Sequence, residues 1–310
     1  MKQLKIILGL LFVVTGVSVF AQQDPMFTQY MTNPVTINPS IAGSRKVDNL
    51  SLVFRKQWVG IDGAPTTAAL SYQGAFFNDK VGLGCNLIHD RIGPVVQTGL
   101  YFDYAYHLKI NDEKKRFLAL GIMGGFNYYT FDLYSLQSDK PDDDIAYDGI
   151  ERRFLPNFGV GLFYHTPNFF FGASLPKILR NSLSKTENTL SLEDKEERHF
   201  FVMTGVIIDV TKNIKFKPSM IGRVVNGAPV SLDLTATFML YDKVWLGAMY
   251  RFGSSWGGLI RWQINPKLHL GYSFDFANSR LKSFNSGSHE IYISYDFVPD
   301  ELIGNVTRFF

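Results

Sequence analysis

Residues 268–276, LHLGYSFDF, alternate between apolar and polar side chains at every step. One face of a strand here would carry Leu268, Leu270, Tyr272, Phe274 and Phe276, and the other His269, Gly271, Ser273 and Asp275. A carboxylate at the centre of a strand is costly unless it faces water or a polar interior. The stretch therefore predicts a strand with one apolar face and one polar face.

The same pattern recurs in residues 231–240 and 100–108, where Asp233 and Asp103 fall on the polar side. Residues 117–129 are glycine-rich and partly apolar on both faces, and residues 169–171 are three consecutive phenylalanines. We expect these two less regular stretches to pack against a plug or against a protein neighbour in the membrane.

The whole chain downstream of residue 50 reads as about fourteen strands, an even number typical of single-chain bacterial barrels. The predicted strands are 50–58, 67–75, 80–90, 95–108, 116–130, 157–165, 169–175, 199–210, 214–223, 231–240, 244–252, 255–264, 268–276 and 289–297. Many reach the 9–11 residues that a tilted membrane strand needs. A soluble β-sandwich is the alternative, but many of its strands have five or six residues.

Every second connection is short and polar, which predicts a barrel with short periplasmic turns and longer surface loops. The short connections are 78–80, 111–115, 166–168, 211–213, 241–243 and 265–267. The predicted surface loops are 59–66, 91–94, 131–156, 176–198, 224–230, 253–254 and 277–288. The fold class we predict is all-β: a transmembrane antiparallel up-and-down β-barrel with a packed N-terminal plug or lid.

The N-terminus predicts export. Lys2 and Lys5 precede an apolar run over residues 6–19, and Ala21 ends a small-residue cleavage site, as in a Sec signal peptide. Without residues 1–21 the net charge falls from +3 to about +1, so no charge imbalance suggests nucleic acid as a partner. Cys85 is the single cysteine, which excludes an internal disulfide.

Residues 22–49 are not strand-like, yet they contain too many apolar side chains for a disordered tail. The dipeptides Asn33-Pro34 and Asn38-Pro39 are turn formers. We expect the segment to pack inside the barrel or across its periplasmic mouth. The predicted organisation is a signal peptide (1–21), a plug segment (22–49), an outer-membrane barrel (50–297) and a periplasmic tail (298–310).

One ordered set of short motifs resembles the PorP/SprF family of outer-membrane proteins from the Bacteroidetes type IX secretion system. The set reads DPMFTQYM over 24–31, the two Asn-Pro pairs, Ala42-Gly43, RKQWVG over 55–60 and GAPTT over 63–67. The resemblance implies a non-enzymatic accessory in secretion or surface anchoring of a C-terminal-domain-bearing surface protein, such as a gliding adhesin. It also implies partners among type IX components in the outer membrane and periplasm, including peptidoglycan-linked ones.

The predicted site residues are the family motifs and a latch between plug and barrel. They are Pro25, Gln29, Tyr30, Asn33, Pro34, Asn38, Pro39, Gly43, Arg55, Gln57, Trp58, Gly60, Pro65 and Thr66. Arg55, Gln57 and Trp58 are expected to end the first strand, with Arg55 bonding carbonyls of the plug and Trp58 anchoring at the membrane interface. The alternative reading of this motif is a gating or cargo-contact element.

The longest predicted surface loop carries an acidic cluster, for which surface contacts are a second hypothesis. Its members are Asp139, Asp142, Asp143, Asp144 and Asp148. Clustered carboxylates bind Ca²⁺ in some proteins, but the ligand spacing of an EF-hand is missing and a solvated loop is favoured. We predict no catalytic residues, metal or cofactor, because no nucleophile elbow, phosphate-binding loop or zinc spacing is present. An outer-membrane channel for small hydrophobic or polar solutes is the alternative function.

Overall fold

The computed structural model of the chain describes residues 27, 28, 30, 32–111, 113–132, 149–183, 195–278 and 284–298. Strands dominate these residues, and two short 3-10 helices, Pro34–Thr36 and Pro39–Ile41, precede the first strand. The strands are β1 (Asn49–Lys56), β2 (Thr66–Phe76), β3 (Val81–Ile92), β4 (Val95–Asn111), β5 (Arg116–Asp132), β6 (Ile150–His165), β7 (Phe169–Leu175), β8 (His199–Val206), β9 (Ile208–Thr211), β10 (Ile214–Val225), β11 (Ser231–Leu240), β12 (Val244–Arg251), β13 (Ser255–Gln263), β14 (Leu268–Ala277) and β15 (Ser288–Asp296).

The strands form one closed antiparallel barrel. Each pairs with its sequence neighbour, and β1 pairs with β15 over residues 49–56, which closes the sheet. The segments β8 and β9 both pair with β10 and are two halves of one span interrupted at Ile207. The fifteen segments therefore make a barrel of fourteen strands, as predicted. No helix among the described residues is long and apolar enough to cross a membrane.

The predicted alternation is confirmed in the three stretches where it is clearest. In β14 the side chains of His269, Ser273 and Asp275 are buried in the lumen, while Leu270 and Tyr272 are exposed on the outside. The strands β4 and β11 orient their residues in the same manner, with Asp103 and Asp233 turned inward. A barrel in lipid requires this arrangement, because the outer face meets hydrocarbon and the inner face does not.

The two ends of the barrel differ as predicted, with corrected boundaries. The short connections are 77–80, 112–115, 166–168, 212–213, 241–243 and 264–267, and the other end carries 57–65, 93–94, 133–149, 176–198, 226–230, 252–254 and 278–287. Strand β1 ends at Lys56, so Gln57 and Trp58 lie in the first long loop and not in the strand. Trp58 adopts a φ of 44° there, a turn conformation that the strand pattern did not predict.

The wall of the barrel is uneven in height. Strands β4 and β5 have 17 residues each and β6 has 16, whereas β7 has 7 and β8 has 8. The prediction that β6 begins at residue 157 was wrong, since it begins at Ile150. Strand β7 stops before Pro176, which lacks the N–H that would continue the ladder. One side of the barrel thus rises well above its neighbour on the long-loop side.

Candidate functional site

The described residues between 27 and 48 lie inside the barrel, and we call them the plug. Each of its Asn-Pro pairs begins a 3-10 helix, with proline at the first helical position and asparagine as the N-cap. Proline suits this position because its fixed φ fits a helix start and its missing N–H costs nothing there. The Asn38 side chain also accepts hydrogen bonds from the Ser40 N–H at 3.1 Å and the Ser40 hydroxyl at 2.6 Å.

The plug is tied to the barrel wall by polar contacts along its length. Asn33 donates to the Ser71 hydroxyl at 3.0 Å, and Asn38 donates to the Leu162 carbonyl at 3.1 Å. In the reverse direction the Ser174 hydroxyl donates to the carbonyl of Ile37 at 2.7 Å. His107 lies 2.8 Å from the carbonyl oxygen of Ala42. These bonds satisfy plug groups that would otherwise be buried without partners.

A row of small residues on the wall lets the plug backbone approach the sheet. Successive cross-strand partners in β3 to β7 are Gly82, Ala105, Gly121, Gly161 and Ser174. A Cβ added to Gly82 would lie 1.8 Å from the Ala42 carbonyl oxygen, and one on Gly121 would lie 2.2 Å from the Ser40 nitrogen. The row explains the glycine-rich sequence of β5, since a close approach of two backbones leaves no room for side chains.

A charged cluster holds the first described residues of the plug. Arg55 of β1 is 1% exposed and bonds Asp275 of β14 at 2.9 Å and Glu290 of β15 at 3.2 Å. Its guanidinium also donates to the Thr28 hydroxyl. The Thr28 N–H donates to Glu290 at 2.8 Å, and its hydroxyl donates to Asp275 at 3.1 Å. Thr28 therefore joins one positive and two negative wall groups.

A second ion pair lies beside this cluster. Arg251 of β12 makes three bonds of 2.7–3.0 Å to Asp233 of β11 and donates to the Phe27 carbonyl at 3.2 Å. Tyr30 is buried and packs edge-on against Phe27, with ring centroids 5.7 Å apart. Burial raises the pKa of the Tyr30 hydroxyl, and the nearby guanidinium groups of Arg223 and Arg251 partly offset that rise.

At the short-turn mouth the plug is fixed by two further ion pairs. Arg45 bonds Asp296 at 2.7 Å, with both side chains almost fully buried. Lys46 lies 3.2 Å from Asp79 of the first short turn and 5.0 Å from the centre of the Phe117 ring. The plug is thus held at both ends, by Arg55 and Arg251 deep in the lumen and by Asp296 and Asp79 near the mouth.

Two small cavities border the plug among the described residues. One of about 60 Å³ lies between the plug, β3–β5 and Phe201, and one of about 20 Å³ lies near Thr28 and Arg261. Such volumes have room for a few water molecules. At these places the plug packs closely against the wall.

The longest loop, 176–198, is anchored inside the lumen by one carboxylate. Glu196 is 5% exposed and accepts hydrogen bonds from Asn127 at 2.8 Å, Tyr129 at 3.0 Å, Asn157 at 3.3 Å and Asn181 at 2.8 Å. The described roots of this loop, 176–183 and 195–198, are thereby held against β5 and β6. We call this arrangement the Glu196 strap.

The structure separates the residues of the predicted latch. Arg55 lies at the plug, but its plug partner is the Thr28 hydroxyl and not a carbonyl. Arg251 is the wall arginine that bonds a plug carbonyl, that of Phe27. Gln57 accepts a 3.2 Å hydrogen bond from Arg55, and its N–H closes the first long loop by donating to the Pro65 carbonyl at 2.9 Å. Trp58 is half-buried in that loop. The remaining motif residues of this region, Gly60, Pro65 and Thr66, shape the loop and begin β2.

Several predicted residues lie outside the described ranges: Pro25, Gln29, Asp139, Asp142, Asp143, Asp144 and Asp148.

Gly43 adopts a φ of +74° and lies against Gly82 and Gly74, which explains why glycine stands there. Arg251, Glu196 and Asn157 were not predicted from the sequence as site residues. Inward positions of strands that carry charge or amide groups are the signal that points to them. Within the described ranges no group of three His, Cys, Asp or Glu side chains is placed to hold a metal ion.

A family model described as "Type IX secretion system membrane protein PorP/SprF" matches residues 19–295, nearly the whole chain. No curated protein sequence matches the chain. Among solved structures the barrel is similar to the CymD monoaromatic hydrocarbon channel (12% identity, TM-score 0.49, 89% of this chain and 94% of that one). It is also similar to the KdgM porin (9% identity, TM-score 0.38, 81% and 99%). Structural likeness at this level carries no argument about function. The family model, in contrast, covers most of the chain, and the chain therefore belongs to the PorP/SprF family of type IX secretion system membrane proteins.

Proposed function

We propose that this protein is a non-enzymatic outer-membrane component that assists the export or surface anchoring of one C-terminal-domain-bearing surface protein, such as a gliding adhesin. It reaches the membrane through a Sec signal peptide cleaved after Ala21. Its partners are type IX components in the outer membrane and periplasm, including peptidoglycan-linked ones. Its long loops face the exported protein, and its short turns face the periplasm.

The plug is the observation that carries this proposal. A solute channel needs a continuous path, but the plug lies in the interior and is bonded to β1, β2, β4, β7, β12, β14 and β15. An accessory of a secretion system needs no path through its own barrel, because it can act through its two mouths and its outer surface. The plug therefore supports the secretion role over the solute channel.

Deletion of the gene tests the proposal. Surface-exposed proteins are biotinylated on intact cells and quantified by mass spectrometry, with and without a plasmid that restores the gene. We expect one surface protein with a C-terminal secretion domain to be lost and regained, while other exported proteins remain. Unchanged surface levels of all such proteins contradict the proposal.

A further inference from the structure

The outer face of the wall carries charged side chains on one side of the barrel. In β7, β8 and β10–β14, which the structure describes in full, each position that alternates with the lumen positions holds an uncharged residue. In β1–β6 the outward positions include five charged residues, which are Lys56, Arg91, Arg116, Asp132 and Arg152. A charged side chain is costly against hydrocarbon unless it reaches polar surroundings. The outward charges of β1–β6 therefore need such surroundings on this side of the wall.

Two of these cations flank a hydroxyl at the long-loop end of three neighbouring strands. Thr66 of β2 lies directly across from Lys56 of β1 and from Arg91 of β3. At the usual strand spacing, the backbones of Lys56 and Arg91 are about 10 Å apart with Thr66 between them. Both long side chains can therefore reach one group that lies over Thr66. Cationic groups and a hydroxyl are donors with which proteins hold phosphate.

The side chains of this trio are open to a ligand. Lys56 and Arg91 are exposed and Thr66 is half-buried, and none of the three makes a side-chain hydrogen bond or an ion pair with the described residues. The loops that join β1 to β2 and β3 to β4 are described in full, and Asp62 in the first of them forms no ion pair with either cation. Asp90, the residue before Arg91, is buried on the inner face. Neither carboxylate thus neutralises the trio.

An apolar surface lies directly below the trio, toward the middle of the wall. Two further outward rows follow in register on β1, β2 and β3: first Phe54, Ala68 and His89, and then Leu52, Leu70 and Leu87. The three leucines are 40–41% exposed. The small side chain of Ala68 leaves a shallow depression along β2 between its two larger neighbours. Polar donors above and aliphatic side chains below match the headgroup and the acyl chains of a lipid.

The position of the trio on the wall indicates which lipid it meets. The outside of a membrane barrel contacts lipid, and the long-loop end of a barrel of this class lies at the outer leaflet. Lysine and arginine near a membrane surface attract anionic headgroups. A phosphorylated lipid would satisfy the cations and keep the leucine row covered by hydrocarbon, whereas a soluble ligand would satisfy only the cations.

We propose that Lys56, Thr66 and Arg91 bind the phosphate group of an outer-leaflet lipid whose acyl chains lie along the apolar rows of β1–β3. This inference goes beyond the proposed function and shares with it only the orientation of the barrel. The two cations bind the phosphate oxygens, and the Thr66 hydroxyl donates to the same group. The bound lipid holds the long-loop end of β1–β3 at the level of the headgroups.

The test compares two forms of one lipid on the full-length barrel in neutral detergent micelles. The probes are lipid A, a phosphorylated glycolipid of bacterial outer leaflets, and lipid A from which the phosphates have been removed. Native mass spectrometry counts the bound lipid over a range of concentrations. We expect the phosphorylated form to bind about tenfold or more tightly, since each nearby cation contributes about fivefold. Equal affinity for the two forms overturns the proposal.

A double variant locates the binding on the wall. Lys56→Ala combined with Arg91→Ala should weaken binding of phosphorylated lipid A about tenfold or more and change binding of the other form by less than about twofold. Arg116→Ala is the control, because Arg116 is an outward cation at the short-turn end of β5. Exchanging the two cations, with Lys56→Arg and Arg91→Lys, should retain most of the affinity.

Heat-dependent mobility in gels shows that each variant barrel is folded. If the double variant does not fold, Lys56→Ala and Arg91→Ala are measured singly, with a loss of about fivefold expected for each. Unchanged affinity in these variants overturns the proposal. So does an equal loss in Arg116→Ala, which would show a general attraction between opposite charges. Each of these results leaves the secretion role to be decided by the deletion strain.

Discussion

Arg55 is the residue on which the seating of the plug depends most. Its guanidinium neutralises Asp275 and Glu290 and bonds Thr28, and all four side chains are buried. A buried ion pair adds little net stability, but removing one partner leaves the other charge buried and uncompensated. Because two carboxylates share this single guanidinium, its loss leaves both without their main counter-charge.

Arg55→Ala should lower the free energy of unfolding by about 3 kcal/mol or more, since it leaves buried carboxylates uncompensated. The measurement is urea unfolding of the barrel in micelles, followed by tryptophan fluorescence. Lys56→Ala is the matched control, because Lys56 is the next residue of β1 and faces outward. Equal unfolding midpoints for the two variants would show that the charged cluster does not stabilise the plugged barrel.

The small-residue row leaves no space for a larger side chain at Gly121. Gly121→Ala places a methyl group 2.2 Å from the Ser40 nitrogen, so the plug must shift. Overpacking of this kind costs about 1–3 kcal/mol. The amides of residues 33–44 should then exchange with deuterium faster, as read by mass spectrometry. Gly124→Ala is the control on the same strand, because its new methyl group meets only the Phe158 ring at 3.5 Å. If the plug amides exchanged at the same rate in both variants, close packing of the plug against the wall would be ruled out.

The Glu196 strap is the element whose order depends on a single side chain. Four donors converge on its carboxylate, and each bond to a charged group is worth about 1.5–3 kcal/mol. Glu196→Ala should therefore open the loop roots and speed trypsin cleavage within 176–198 about tenfold or more. Glu197→Ala serves as the control, since Glu197 bonds Arg180 at the surface. Unchanged cleavage in Glu196→Ala would mean that other contacts hold the loop.

Strand positions could be predicted from the sequence wherever successive side chains alternate between apolar residues that face lipid and polar residues that face the lumen. Asp275 identifies the inner face of β14 by itself, because a carboxylate has no stable place in hydrocarbon. The start of β6 could not be predicted, since Glu151, Arg152 and Arg153 read as loop. They lie in the part of the strand that extends past β7, where the outward position of Arg152 carries a charge and the apolar-polar pattern of the sequence is broken.

The contacts of the plug depend on the closed barrel and could not be predicted. Arg55 lies 220 residues from Asp275 and 235 from Glu290 along the chain, and only the pairing of β1 with β15 brings them together. The small-residue row likewise exists only once the register of five strands is set. The sequence predicted a packed segment from its apolar content, but the choice of wall partners required the fold.

The plug and the Glu196 strap lie in the lumen of a fourteen-stranded barrel, the plug reaching the short-turn mouth and the strap lying toward the long loops. The short turns form one compact face, and the wall on the long-loop side is uneven in height. The function proposed above assigns protein partners to these two faces.

Single-channel conductance in planar lipid bilayers shows whether the plug closes the barrel. The full-length barrel should be silent, because the plug lies in the lumen and is bonded to the wall at both ends, and a variant lacking residues 27–48 should show steady conductance. A steady conductance of the full-length barrel equal to that of the plug-deleted variant would contradict the account.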